Sequence, residues 1–268
     1  MRHLLRLAAT LFVLAAMAAP AQELALPAPG SPRLTFDVIA IHPTDKQPGQ
    51  GQPCFTKSIP GGTGYQVRCM VVKNMISLMY KIPERQITGA PAWLGEDRWD
   101  IDAKADKAYS LDDLHTMFQS MLADRFGLKF HTEQKDGNIY ALTIDSSDLK
   151  MTPNATPEQY QIPFQGTPTG FVGIRVPMQY LCWQLGQFLG NDQRPVINMT
   201  GLTGNYDFKL VFLPDLPPEF DKSSLPQEVL DRPNIFTALR EQLGLKLTAQ
   251  RGSVTYVVID HVEKPSDN

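Results

Sequence analysis

The sequence feature that most constrains the fold is an internal similarity between the two halves of the chain. In the first half, a helical pattern ends in FGLKF (126–130) and is followed by a strand-like run over 137–145. In the second half, the same order occurs as LGLKL (243–247) and a strand-like run over 252–260. Self-similarity of this length indicates one supersecondary unit that is present twice.

The similarity continues upstream in the same order. The alternating run RWDID (98–102) corresponds to NYDFK (205–209), and alternation of this kind predicts a strand. Further upstream, two short amphipathic helices are predicted, each after a strand; the helices cover 73–80 and 177–183, and the strands cover 65–70 and 171–176. Each unit therefore has the order strand, helix, strand, helix, strand, strand, with the last two strands forming a hairpin.

The second helix of each unit carries the clearest local signals. Ser110 is an N-cap candidate with Asp113 three residues later, and an apolar stripe runs from Leu111 to Phe126. Gly127 and Gly244 stand where a helix ends in the left-handed conformation. Because strands that are apolar on one face need a covering layer, we predict an α+β fold: a mostly antiparallel sheet covered by helices.

The remaining segments set the predicted boundaries. The first unit covers 34–150 and includes an extra strand over 34–41, and the second covers 167–268. The Pro-rich stretch 22–33 is predicted to be disordered, and 151–166 is predicted to be a linker. The two units are expected to pack as a pseudo-twofold pair.

The N-terminus predicts export. Residues 1–21 combine basic residues, an apolar run and a small-residue cleavage site, as a cleavable signal peptide does. Removal of this segment takes the net charge from −3 to −5, because it holds two arginines and no acidic residue. An acidic mature chain argues against nucleic acid as a partner. We expect an extracytoplasmic protein, periplasmic or secreted, without a transmembrane segment after cleavage.

Three cysteines fit an oxidising compartment. A bond between Cys54 and Cys69 would close a short loop around a glycine-rich turn. A bond between Cys69 and Cys182 is the open alternative, although Cys182 lies in an apolar run typical of an inert buried thiol. The absence of a CxxC spacing leaves redox chemistry and zinc without support.

Candidate catalytic residues are few. Asp100 and Asp102 would share one face of a strand, but Asp100 has a counterpart in Asp207, and a residue present in both units is best explained by their shared scaffold. The histidines are scattered, so a zinc site formed by His131 and His261 is much less favoured than ordinary surface histidines. No catalytic residue, metal or cofactor is predicted.

Five segments carry a family resemblance. They are FDVIAIHP (36–43), ITGAPAW (87–93), LADRFGLK (122–129), TGLTGNYD (200–207) and VIDHVEKP (258–265). Together they resemble an uncharacterised, soil-associated family of bacterial proteins. The resemblance implies no known activity and transfers no catalytic residues. It does imply a possible partnership with a membrane metallopeptidase, for which the chain would be a sensor domain.

Features present in only one unit are the better candidates for function. Trp93, Trp99 and Trp183 are such features, and exposed aromatic side chains are common at binding surfaces; the alternative is that all three lie in the core. The leading hypothesis is a non-enzymatic binding or interaction module for an unknown protein or small-molecule ligand. The alternative is an enzyme that acts on cell-envelope material.

Overall fold

The computed structural model describes residues 22–44, 53–145, 149–156, 160–167, 170–189, 194–216, 221 and 225–265. The predicted signal peptide, 1–21, lies outside these ranges. Within them the fold is α+β with mainly antiparallel sheets, as predicted. None of the helices in these ranges is long and apolar enough to cross a membrane.

The strands and helices have the following bounds. The strands are β1 (Val38–Pro43), β2 (Phe55–Ser58), β3 (Gly64–Val71), β4 (Ile87–Thr88), β5 (Arg98–Lys104), β6 (Lys129–Ile144), β7 (Thr152–Pro153), β8 (Phe164–Thr167), β9 (Gly170–Pro177), β10 (Val196–Asn198), β11 (Asn205–Val211) and β12 (Leu245–His261). The helices are α1 (Val72–Tyr80), α2 (Trp93–Glu96), α3 (Leu111–Arg125), α4 (Met178–Phe188), α5 (Gln227–Leu230) and α6 (Ile235–Ala238), which continues as a π-helical turn over Leu239–Leu243.

The strands form three four-stranded sheets. One side sheet has the order β1-β5-β3-β2 and belongs to the first half, and the other has the order β7-β11-β9-β8 and belongs to the second half. The central sheet, with the order β10-β6-β12-β4, takes strands from both halves. Its two long inner strands are antiparallel, and the short edge strands β4 and β10 run parallel to their neighbours.

The predicted hairpin at the end of each unit is wrong. A single 16-residue strand, β6, stands in place of the first hairpin, and a single 17-residue strand, β12, in place of the second. Gly137 and Gly252 are paired with each other near the middle of the β6–β12 ladder, and neither one forms a turn. A Cβ on Gly252 would lie 2.5 Å from Ile139 Cδ1, so close packing explains this glycine.

Each side sheet contains the same irregularity in its strand pair. In the first half, Cys69 has a φ of 57° and its N–H donates to Asp100 Oδ1 at 2.8 Å. In the second half, Arg175 has a φ of 52° and its N–H donates to Asp207 Oδ1 at 2.8 Å. Both irregularities are β-bulges, in which the strand register shifts. The carboxylates of Asp100 and Asp207 each stabilise the left-handed residue of one bulge, which is a scaffold role.

The predicted helix signals are present in the structure. The Ser110 hydroxyl accepts a hydrogen bond from the Asp113 N–H, as predicted. Asn234, for which no cap is predicted, caps α6 in the same way through the Thr237 N–H. Gly127 and Gly244 have left-handed backbones directly after the two helices, with φ of 59° and 73°. These signals depend on neighbouring residues alone, which is why the sequence reveals them.

The core of the described residues consists of two large clusters and one small cluster, and each one takes side chains from both halves. Val257 and Ile259 of β12 pack in the cluster of the first half, while Tyr140 and Leu142 of β6 pack in the cluster of the second half. Neither predicted unit, 34–150 or 167–268, therefore contains the whole of its own core. The duplication itself stays a prediction, and superposition of the halves is its test.

Two predicted irregular segments are more ordered than expected. The stretch 151–166, predicted as a linker, holds β7 and most of β8, because both strands extend the second side sheet. The stretch 22–33, predicted as disordered, has no regular secondary structure, but Gln22, Glu23 and Ala25 form hydrogen bonds with residues of both halves. We call residues 22–26 the N-terminal arm.

Candidate functional site

Buried polar side chains are concentrated at the junction of the two halves. Seven polar or charged residues are buried in the described part of the chain, and five of these lie around the N-terminal arm and the ends of α1 and α3. Those five are Lys81, Gln86, His115, Gln119 and Thr255. Because a buried polar group costs free energy unless it is satisfied, such a concentration marks a candidate site.

Lys81 is the central residue of this site. It follows α1 in a left-handed conformation, with a φ of 54°, and its side chain is only 4% exposed. Its Nζ donates to the Leu78 carbonyl at 2.6 Å and lies 4.1 Å from the ring centroid of Tyr180 and 5.2 Å from that of Trp183. Both rings belong to α4, so Lys81 joins the two halves.

The charge of Lys81 is poorly compensated. Burial lowers its pKa to about 7, and the carboxylate of Asp112 acts in the opposite direction. In the described ranges, Lys81 forms no ion pair with a carboxylate, although Glu23 and Asp112 line the same cavities; its Nζ contacts a carbonyl and two aromatic rings. Near neutral pH the amine therefore exists in both protonation states, and its charged form would gain from an anionic neighbour.

His115 lies next to Lys81 on α3 and is also buried. Burial, together with the nearby positive charge of Lys81, lowers the pKa of His115 well below its ordinary value. Its ring centroid lies 6.0 Å from that of Tyr65 and 6.4 Å from that of Tyr180. The imidazole is consequently neutral at pH 7 and adds hydrogen-bonding capacity to the site without adding charge.

Two cavities meet at Lys81. One has a volume of about 140 Å³ and lies between the arm, α4 and β10. It is lined by Gln22, Glu23, Lys81, Gln179, Cys182, Trp183, Val196, Ile197 and Asn198. The other has a volume of about 280 Å³, lies between the arm, α3 and α4, and shares Lys81 and Gln179 with the first. We call the two cavities together the Lys81 cleft.

The three tryptophans predicted for binding are not brought together. Trp99 is 5% exposed and packs edge-on against Phe126 in the core, so the core alternative describes it better. Trp93 is half-buried on α2 with Lys264 Nζ 5.9 Å from its ring. Only Trp183 lines the Lys81 cleft, and its buried Nε1–H has no hydrogen-bond partner within the described ranges.

The cysteines are arranged as follows. A disulfide joins Cys54 and Cys69, with their Cα atoms 4.8 Å apart, and therefore links the residue before β2 to β3. Cys182 is free and buried, and burial raises the pKa of its thiol. Since a thiol in this state is mostly protonated, Cys182 contributes an apolar wall to the cleft.

The other candidate residues form ordinary surface interactions. Asp102 accepts two hydrogen bonds from Arg68, at 2.7 and 2.9 Å, on the side sheet. His131 Nδ1 lies 2.7 Å from Asp260 Oδ1 on the exposed part of the central sheet, and this hydrogen bond raises the pKa of His131. The described residues contain no group of three or more metal-ligating side chains.

Sequence reasoning missed Lys81, Gln86, Gln119 and the N-terminal arm. A signal for Lys81 is present, because a lysine interrupts the apolar run from Met75 to Ile82 at a helix end. The glutamines carry no comparable signal, since a lone glutamine is typical of a solvent-exposed surface. Only the packing of the halves makes these side chains a site.

Comparison with known proteins gives one match. A family described as "Protein of unknown function (DUF3738)" matches residues 73–262. No curated protein and no solved structure matches the chain. The matched region includes Lys81, α3, α4 and the central sheet, but excludes the N-terminal arm.

Proposed function

The chain belongs to the DUF3738 family of proteins of unknown function, and on that premise we propose that it is a non-enzymatic binding module. Its ligand site is the Lys81 cleft. The observation that carries this proposal is a buried lysine, without an ion-pair partner in the described residues, that lines two cavities. A charge in this environment is costly, and an anionic ligand would offset that cost.

The lining of the cleft defines the chemistry of the ligand. Lys81 Nζ and the unpartnered Trp183 Nε1–H are both donors, and Trp183 and Tyr180 provide flat apolar surface. A complementary ligand has a carboxylate or a similar acceptor attached to a small apolar group. Polar and apolar residues both line the smaller cavity, so the site offers hydrogen-bonding groups beside apolar surface.

We further propose that the module works outside the cytoplasm, in the periplasm or after secretion. Residues 1–21 would direct export, and a disulfide between Cys54 and Cys69 suits an oxidising compartment. Soil-associated bacteria are the proposed source of the family, and an internal duplication the proposed origin of its two halves. A membrane metallopeptidase is a proposed partner to which ligand binding would be reported.

The test uses the chain from Gln22 onwards and a panel of small carboxylates, each paired with its neutral amide. We expect some carboxylates to raise the melting temperature at pH 7, and their amides to have no effect. The stabilisation should disappear in Lys81→Met and persist in Lys57→Met. Lys57 is a matched control because its Nζ also lies over a ring, 4.5 Å from Phe55, but on an exposed strand position.

Calorimetry adds a second measurement. Because an anion favours the protonated amine, carboxylate binding at pH 8 should be accompanied by proton uptake in the parent chain and not in Lys81→Met. If no carboxylate in the panel binds, or if binding persists unchanged in Lys81→Met, the proposed site is wrong. Hydrolysis of peptide, ester or glycan substrates that is lost in Asp100→Asn or His131→Asn would support the enzyme alternative instead.

A further inference from the structure

The N-terminal arm is held mainly through its main chain. The Ala25 N–H donates to the Tyr80 carbonyl at 3.0 Å, and the Ala25 carbonyl accepts from Gln119 Nε2 at 2.7 Å. The Glu23 carbonyl accepts from Gln179 Nε2 at 2.6 Å, and the Gln22 carbonyl accepts from Thr255 Oγ1 at 2.7 Å. Bonds to main-chain atoms tolerate many side chains, so this groove can hold extended segments of varied sequence.

Both halves of the fold build the groove. Tyr80 and Gln119 belong to the first half, while Gln179 and Thr255 belong to the second. The single apolar anchor of the arm is Leu24, which packs against the core cluster of the first half. Glu23 lines the same cavity as Lys81 and Trp183, so the arm also supplies one wall of the Lys81 cleft.

The arm does not satisfy the groove completely. Gln86 is 2% exposed and Gln119 is 7% exposed, and the Oε1 atom of each is buried without a hydrogen-bond partner among the residues that the structure describes. In both side chains the Nε2 atom makes two hydrogen bonds to carbonyl oxygens. Two buried acceptors beside a bound segment represent unused capacity for donors such as peptide N–H groups.

We propose that this groove is a peptide-binding site whose partner is an extended polypeptide segment with an acidic residue followed by leucine, and that the chain's own arm occupies it in the free protein. Recognition of this partner would use its main chain, one leucine and one carboxylate directed to the Lys81 cleft. The inference rests on the proposed binding function and names the chemical class of the ligand.

A free peptide must compete with the arm for the groove, and this competition sets the affinity that we expect for the peptide. A tethered segment has an effective concentration of about millimolar, so a free peptide must displace it before binding. Ala25→Pro weakens the arm without altering the groove, because it removes the N–H that donates to Tyr80. The variant should therefore bind a free peptide at least about tenfold more tightly than the parent, which corresponds to a loss of about 1.4 kcal/mol in the arm.

The experiment uses fluorescence anisotropy with a labelled peptide of the sequence QELAL, which is that of residues 22–26. We expect saturable binding to Ala25→Pro, weaker binding to the parent, and no binding when Gln119→Leu is added to Ala25→Pro. Gln66→Leu in the same background is the matched control, because Gln66 bonds to Asp102 on a side sheet. A QEDAL peptide should not bind, since it lacks the apolar anchor.

A second measurement covers the case in which Ala25→Pro does not fold. In the parent chain, labelled with ¹⁵N, excess unlabelled QELAL should accelerate hydrogen exchange of the Ala25 amide as the arm leaves the groove. Absence of both saturable binding and faster exchange overturns the peptide site. That result leaves the proposed function intact if small carboxylates still bind in a Lys81-dependent manner, so failure of one proposal is distinguishable from failure of the other.

Discussion

The first and second halves of the molecule agree in their side sheets and differ at their junction. In both sheets an aspartate binds the N–H of a left-handed residue, and the two hydrogen bonds have the same length, 2.8 Å. Gly64 and Gly170 also correspond: both have φ near 150°, and each lies against a carbonyl of the neighbouring strand. These shared features build the sheets and give no reason to expect chemistry at Asp100 or Asp207.

The ends of the first helices differ. The residue after α1 is Lys81, in a left-handed conformation, whereas the residue after α4 is Leu189, with a φ of −94°. A left-handed lysine costs about 1 kcal/mol relative to glycine, and its burial costs more. A costly feature that occurs in one half only is the reason for proposing that Lys81 belongs to a binding site.

The largest expected effect is the destabilisation caused by an alanine at Gly64 or Gly170, and it tests the similarity of the two side sheets. A Cβ on Gly64 would lie 2.1 Å from the Ala103 carbonyl oxygen, and one on Gly170 would lie 2.0 Å from the Leu210 carbonyl oxygen. Gly64→Ala and Gly170→Ala should each lower the free energy of unfolding by about 4 kcal/mol, because backbone strain adds to a main-chain clash. Chemical denaturation measures both. Unequal losses would show that the halves are not equivalent.

An intermediate effect is expected for the paired aspartates. Asp100→Ala and Asp207→Ala each remove the acceptor for a left-handed N–H and should cost about 2 kcal/mol in unfolding free energy. Any ligand binding at the Lys81 cleft should be retained in both, as measured by the carboxylate-dependent shift of the melting temperature. Selective loss of that binding in Asp100→Ala would contradict a purely structural role.

The smallest effect, when expressed per pH unit, is the pH dependence that Lys81 gives to the free energy of unfolding. It tests the difference between the ends of α1 and α4. An unfolded lysine titrates near 10.4, and burial lowers the pKa of Lys81 to about 7 in the folded chain. Between these values the unfolded chain binds more protons, so Lys81 makes stability rise with pH. Lys81→Met should be more stable than the parent at pH 7, and this advantage should shrink by about 1.4 kcal/mol per pH unit up to pH 9.5.

Leu189→Met is the matched control in the second half. Leu189 is buried and cannot titrate, so this variant should differ from the parent by a small amount that does not depend on pH. Denaturation curves at pH 7, 8 and 9 separate the two cases. A Lys81→Met advantage that stays constant over this range would mean that Lys81 retains an ordinary pKa.

Much of the local structure could be predicted. The α+β class, the strand at 98–102, the helix that starts after Ser110 and the stops at Gly127 and Gly244 are all present. Strand alternation, caps and helix stops depend on residues within a few positions of one another. The sequence also predicts that the repeated aspartates are scaffold residues, but it does not reveal their hydrogen bonds to backbone amides.

The sequence by itself determined the α+β class, the start of α3 after Ser110 and the helix stops at Gly127 and Gly244, because those signals are short-range. The tertiary structure alone decided that β6 and β12 pair along their whole length. The sequence leaves this open, because glycines at 137 and 252 suit a tight turn as well as close packing between two paired strands. It also decided that Lys81, Gln119 and the N-terminal arm meet. These contacts join residues about 40 to 230 positions apart, and no local pattern records the free energy of such packing.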